Sequence, residues 1–201
     1  MPFWDRNKAA RIRNHIQTLV NQREIVMIEL LKAHDLPEPK INIKFCDLSS
    51  NRSHYNHGQI VMDAYGFYQH TNAGIIQTVD HEVAHYVQDK RNRHVGRFRF
   101  FLRRKDTREF AEGFATFAQQ ITTGNIGKTA EMALVGGFRM DIPAQRAVVK
   151  KLANYVAGYK RFKAIAQVNS VGYALKVGLE ASAAEWKTEA IQSSRKLGIE
   201  Y

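Results

Sequence analysis

The chain has 201 residues and a mass of 23.0 kDa, enough for one domain with a proper core. Its 44% hydrophobic content fits a soluble globular protein, no apolar run reaches membrane-spanning length, and a single cysteine excludes an internal disulfide framework or a thiolate metal cage. The formal net charge of +11 favours an acidic partner, whether nucleic acid, an anionic surface or an acidic protein substrate.

The opening MPFWDRNKAARIRNH lacks the uninterrupted apolar segment of a secretory signal, so a cytoplasmic protein is expected. Residues 5–34 read as one long helix. Ile12, Ile16, Leu19, Val26 and Leu30 fall at alternating three- and four-residue steps, with Arg23 in the middle place. The stretch Pro37-Glu-Pro39 stops that helix. INIKFC (41–46) and GQIVMDAY (58–65) alternate apolar and polar residues as strands do. SSNRSHYNHG between them supplies turn residues and places His54 and His57 in a surface loop. From Thr71 onward the pattern is helical, with segments expected at 72–90, 107–122, 128–136, 142–168 and 172–197. Glycines at 124, 127, 136–137 and 172 punctuate them, and Asp141-Ile-Pro143 suits a helix start. There is no internal repeat and no low-complexity linker. The expectation is one α+β domain over 1–201, mostly helical, with a small sheet and a long N-terminal helix.

The stretch DHEVAHYVQDK (80–90) carries the chemistry. H-E-x-x-H arises by chance in a chain of this composition with a probability of about 0.02, so the pattern has weight without being decisive. On a helical wheel Ile75, Ile76, Val79, Val83, Tyr86 and Val87 gather on one side. His81 and His85 lie together on the other, flanked by Gln77, Thr78 and Gln88. Four residues make about one turn, so both imidazoles can converge on a single ion, with zinc the expected metal. Glu82 is about 100° round from His81, badly placed as a ligand but able to reach a water at an open coordination position.

A catalytic zinc normally has three protein ligands plus water. Downstream, TREFAEGFATFAQQ (107–120) presents Phe110, Phe114, Phe117 and Ile121 as an apolar face, while Ala111, Ala115 and Ala118 allow close helix approach. Glu112 sits within this apolar segment, where a carboxylate needs a compensating cation. Glu109, one turn earlier, and His94 are the rival third ligands.

HEVAH followed by a helix carrying A-E-G-F-A resembles the gluzincin branch of the zincin metallopeptidases. The resemblance covers roughly residues 60–120. It implies a zincin-like metallopeptidase domain with a metal-binding core at 41–122 and C-terminal helices over 128–201. It also implies His81, His85 and Glu112 as zinc ligands and Glu82 as the catalytic base of peptide-bond hydrolysis. Ala111 stands where many members carry asparagine, and 26 residues separate His85 from Glu112, more than in compact members. The G-x-M-E-N motif of the aminopeptidase branch is absent, which favours an endopeptidase acting on protein or peptide. The family usually adds a tyrosine or histidine that hydrogen-bonds the oxyanion; Tyr155, Tyr159 and Tyr173 are the candidates here.

Between the two motifs runs KRNRHVGRFRFFLRRKDTR (90–108), where lysines and arginines interleave with Phe98, Phe100 and Phe101. That composition suits a connection whose phenylalanines join the core, a cleft for acidic peptides, or a nucleic-acid groove. Lys150-Lys151 and Lys160-Arg161 could extend such a patch. The alternative to a peptidase is therefore a basic nucleic-acid-binding or assembly protein with a structural or vestigial zinc site.

Overall fold

The computed structural model describes residues 6–36, 43–46, 54–56, 59–63, 72–91, 105–134 and 143–199. The chain divides into two compact units, Met1–Val87 and Gln88–Tyr201.

The first unit holds helix α1 (Arg6–Lys32), strands β1 (Ile43–Cys46), β2 (His54–Asn56) and β3 (Gln59–Asp63), and most of helix α2 (Asn72–Arg91). Helix α1 buries Ile16, Leu19, Val20, Met27 and Leu31, and half-buried Arg23 lies in line with them. Beyond Arg23 the buried line therefore runs through Met27 and Leu31 rather than Val26 and Leu30, which are only half-buried.

The strands form a sheet in the order β1-β3-β2, with β1 parallel to β3 and β2 antiparallel to it. Ile60 and Met62 of β3 are fully buried while Gln59 and Val61 are not, the period-two pattern of a half-covered strand. His54 pairs opposite Val61. It thus belongs to a strand rather than to the surface loop expected there; His57 lies outside the described residues.

Two ties link α1 and α2. His15 Nε2 donates to Asn72 Oδ1 at 2.9 Å, and Arg23 forks onto Asp80. Both partners are 57 residues apart in sequence, so the helices run parallel and in constant register over two turns.

The second unit begins with the last turn of α2 and continues through α3 (Lys105–Thr123), α4 (Lys128–Leu134), α5 (Pro143–Val168), α6 (Val171–Glu180) and α7 (Ala183–Lys196). Helix α5 packs against α3, α4, α6 and α7. Phe162 of α5 is the hub of its core: Phe110, Phe114 and Phe117 of α3 lie at centroid distances of 5.9, 5.8 and 5.7 Å, and Trp186 of α7 at 5.5 Å. The three α3 rings recur at the four- and three-residue steps of one helical face.

The single helix expected over 172–197 is two helices. Ser182 caps α7, accepting from the Glu185 backbone N–H while the Glu185 carboxylate accepts from the Ser182 N–H. This capping box stops α6 at Glu180 and starts a new axis.

The helical content also corrects the expected α+β class. Helices of 27, 20, 19, 7, 26, 10 and 14 residues stand against strands of four, three and five. Strands that short make a minor ribbon rather than a layer of the fold, so the described residues are mostly helical and do not fit an α+β zincin-like domain. The alternating runs at 41–46 and 58–65 do mark strands, but they say nothing about how small a share of the fold those strands make.

Candidate metal centre

Helix α2 is buried on nearly all sides in its second half. From Val79 to Gln88 every residue is buried except His81 and His85, which are half-exposed. Gln88 is not a rim residue beside the histidines; it is 2% exposed and its Nε2 donates to Gly178 O at 2.8 Å, within the second unit. Asp80, 1% exposed, takes both arms of the Arg23 guanidinium: Nε donates to Oδ1 at 2.7 Å and Nη2 to Oδ2 at 2.5 Å. A buried carboxylate next in sequence to His81 is thereby satisfied by a planar, bidentate partner.

The imidazoles of His81 and His85 stand 4.8 Å apart, centroid to centroid, with their planes at 87°. Their four-residue spacing puts them on neighbouring turns of one face. Glu82 is 7% exposed.

Helix α3 repeats the pattern. From Glu109 to Gln119 every residue is buried except Glu112. The E-G-F-A segment explains itself residue by residue. A Cβ on Gly113 would lie 2.4 Å from the Gly158 Cα of α5, so only glycine lets the two backbones touch there. Phe114 fills the space above Gly178, where a Cβ would stand 2.0 Å from its ring, and Ala115 is fully buried. One turn before Glu112, Glu109 is ion-paired with Arg161 of α5 and 3% exposed. The Arg161 guanidinium lies 5.5 Å from the Trp186 ring centroid.

His81, His85 and Glu112 each offer one ligand atom, and these atoms all lie within 4.8 Å of one another. Among the described residues no other group of three His, Cys, Asp or Glu side chains is so arranged. Two imidazoles and a carboxylate are a donor set that suits a catalytic zinc. Donors on bonds of roughly 2.0–2.1 Å stand about 3.3 Å apart at tetrahedral geometry, a separation that lies inside the 4.8 Å limit found here. The donor types do not by themselves separate zinc from other divalent metals. His94 and residues 92–104 of the basic insert lie outside the described residues.

Tyr155 and Tyr159 are on α5, half-buried and buried, and Tyr173 is 40% exposed on α6. Burial pushes the Tyr159 hydroxyl above its ordinary range. Tyr173 is also raised, by desolvation first and then by the charge and hydrogen bond of Glu189. Both therefore stay protonated at neutral pH.

Sequence reasoning gave Arg23 and Asp80 no partner, and it placed Arg161 in a possible basic patch where the structure pairs it with Glu109. A signal existed for the first: an arginine inside an otherwise apolar helical stripe calls for a buried carboxylate elsewhere. Comparison with known proteins finds no matching family model, no matching curated protein and no matching solved structure.

Proposed function

We propose that the chain is a zinc-dependent peptidase of gluzincin-type ligand set, an endopeptidase in which His81, His85 and Glu112 would hold the metal and Glu82 is the general base. The observation that carries this reading is the exposure pattern of two buried helices. Three side chains on them reach solvent within the stretches 79–88 and 109–119, and these are the three whose ligand atoms cluster. Bound there, zinc would supply Lewis acidity and lower the pKa of a water to about 7.

Glu82 follows His81 on the same helix and is 7% exposed, so its carboxylate is largely shielded from bulk water. Its part is to take a proton from water and deliver it to the leaving amine. The single cysteine agrees with a cytoplasmic setting for this activity. No described helix is long and apolar enough to cross a membrane.

The experiment pairs two variants. Glu82→Gln should keep its zinc and lose about 10²–10⁴-fold in cleavage of an unfolded protein substrate, and His81→Ala should lose the zinc. Wild-type cleavage by Glu82→Gln would end the proposed mechanism.

A second reading has its own observation. Arg146, Lys150, Lys160 and Lys163 are exposed along α5, and such cations suit contact with phosphates. Nucleic-acid binding that weakens steeply with salt and is indifferent to Glu82→Gln would favour it over the peptidase.

A further inference from the structure

We infer that Arg23 is a positioning residue for the metal centre, acting from α1 through Asp80 on the direction of the two imidazoles. The inference rests on the proposed metal site and deepens it. Along a helix each residue is turned about 100° from the last, so the azimuth of α2 decides where His81 and His85 point. Packing of apolar side chains alone holds that azimuth loosely, because methyl groups tolerate small rotations and slides.

The Arg23–Asp80 fork is different in kind. Two parallel N–H···O bonds at 2.7 and 2.5 Å fix both the distance and the plane of the Asp80 carboxylate. Asp80 is the residue before His81, so no flexible segment separates the fixed point from the first imidazole. The side chains are 15% and 2% exposed, which leaves little water to offer substitute partners.

The solvent-exposed His15–Asn72 bond, about 12 Å back along both helices, is a second and weaker tie in the same register. The fork therefore carries most of the restraint on the rotation of α2. Arginine is needed for this because a lysine ammonium is a point charge without a fork.

A buried ion pair is weak evidence for stability, since a well-packed apolar pair often serves as well. That fact separates positioning from mere structure. In Arg23→Met/Asp80→Met the seam becomes apolar, and the metal-free protein should melt near the wild-type temperature. Its zinc affinity, measured by competition with a chromophoric chelator, should nonetheless fall by about 10-fold or more. The absorption of bound Co²⁺ should also shift as the imidazoles lose their fixed direction.

Arg23→Lys should show a smaller loss of the same sign, and it serves in place of the double variant if the latter does not fold. Wild-type zinc affinity and an unchanged Co²⁺ spectrum in a folded Arg23→Met/Asp80→Met or Arg23→Lys protein would overturn the inference. Failure of the wild type to bind zinc, or of His81→Ala to lose it, would instead overturn the metal site itself.

Discussion

The seam between α1 and α2 and the seam between α3 and α5 both carry a buried arginine–carboxylate pair close to a candidate ligand, yet they are closed in different ways. In α3–α5 the backbones meet at Gly113 and Gly158, and the aromatic hub at Phe162 locks the approach. The Arg161–Glu109 pair is one restraint among several there. In α1–α2 no described glycine contact plays that part; the Arg23 fork and the His15–Asn72 bond are the directional elements. Distance between helices can be set by what is missing from a side chain, whereas rotation needs something that points. On the proposal made above, the ion pair is one restraint among several in the α3–α5 seam and a main angular restraint in the α1–α2 seam.

The comparison breaks first at the aromatic hub. Phe162→Ala should cost about 3–5 kcal/mol in a urea melt, because it removes the ring that four others contact. Arg161→Met alone leaves Glu109 buried without its cation and should cost a similar 3–5 kcal/mol or so. Arg161→Met/Glu109→Met should recover most of that stability if the glycine contact and the hub carry the seam; a double variant as unstable as the single one would make the ion pair indispensable after all.

Gly158→Ala comes next, at roughly 3 kcal/mol. Its Cβ would stand 2.1 Å from Glu109 O, so the backbones must separate, against a helix-propensity gain of only about 1 kcal/mol. Ser182→Ala should cost about 1 kcal/mol by removing the α7 cap.

The smallest effect is in pH. Hydrogen bonds from the Ser182 backbone, then its side chain, hold the exposed Glu185 carboxylate below its ordinary 4.5. A carboxylate with a lowered folded pKa stabilises the fold above 4.5, and that contribution is lost as pH falls through the folded value. Glu185→Gln should therefore melt with a slightly flatter acid limb than wild type.

Much of the helical layout was legible in the residues. Residues 5–34, 72–90 and 107–122 were expected as helices, and the structure has them at Arg6–Lys32, Asn72–Arg91 and Lys105–Thr123. Periodicity over such lengths leaves little room for another answer. The break at Ser182 was written in S-A-A-E, but the apolar pattern on either side outweighed a four-residue cap signal. Strand β2 was hidden because HYN sits among turn-forming residues, and its pairing with β3 is a non-local event that local composition does not show.

At the candidate site, the H-E-x-x-H and E-G-F-A patterns named four residues, and the exposure of His81, His85 and Glu112 needed the packed helices to appear. The arginine partners could not be paired from sequence, since 57 and 52 residues separate them from their carboxylates. Why Gly113 follows Glu112 was likewise opaque until the α5 backbone was seen against it.

The helical stretches 79–88 and 109–119 present only three side chains outward, and those three are the proposed ligands of an ion. Every other position on them is buried, Glu82, the proposed base, included. Discrimination between one visitor and another must then be written elsewhere in the chain, so altering selectivity calls for changes outside both stretches while their buried residues stay as they are.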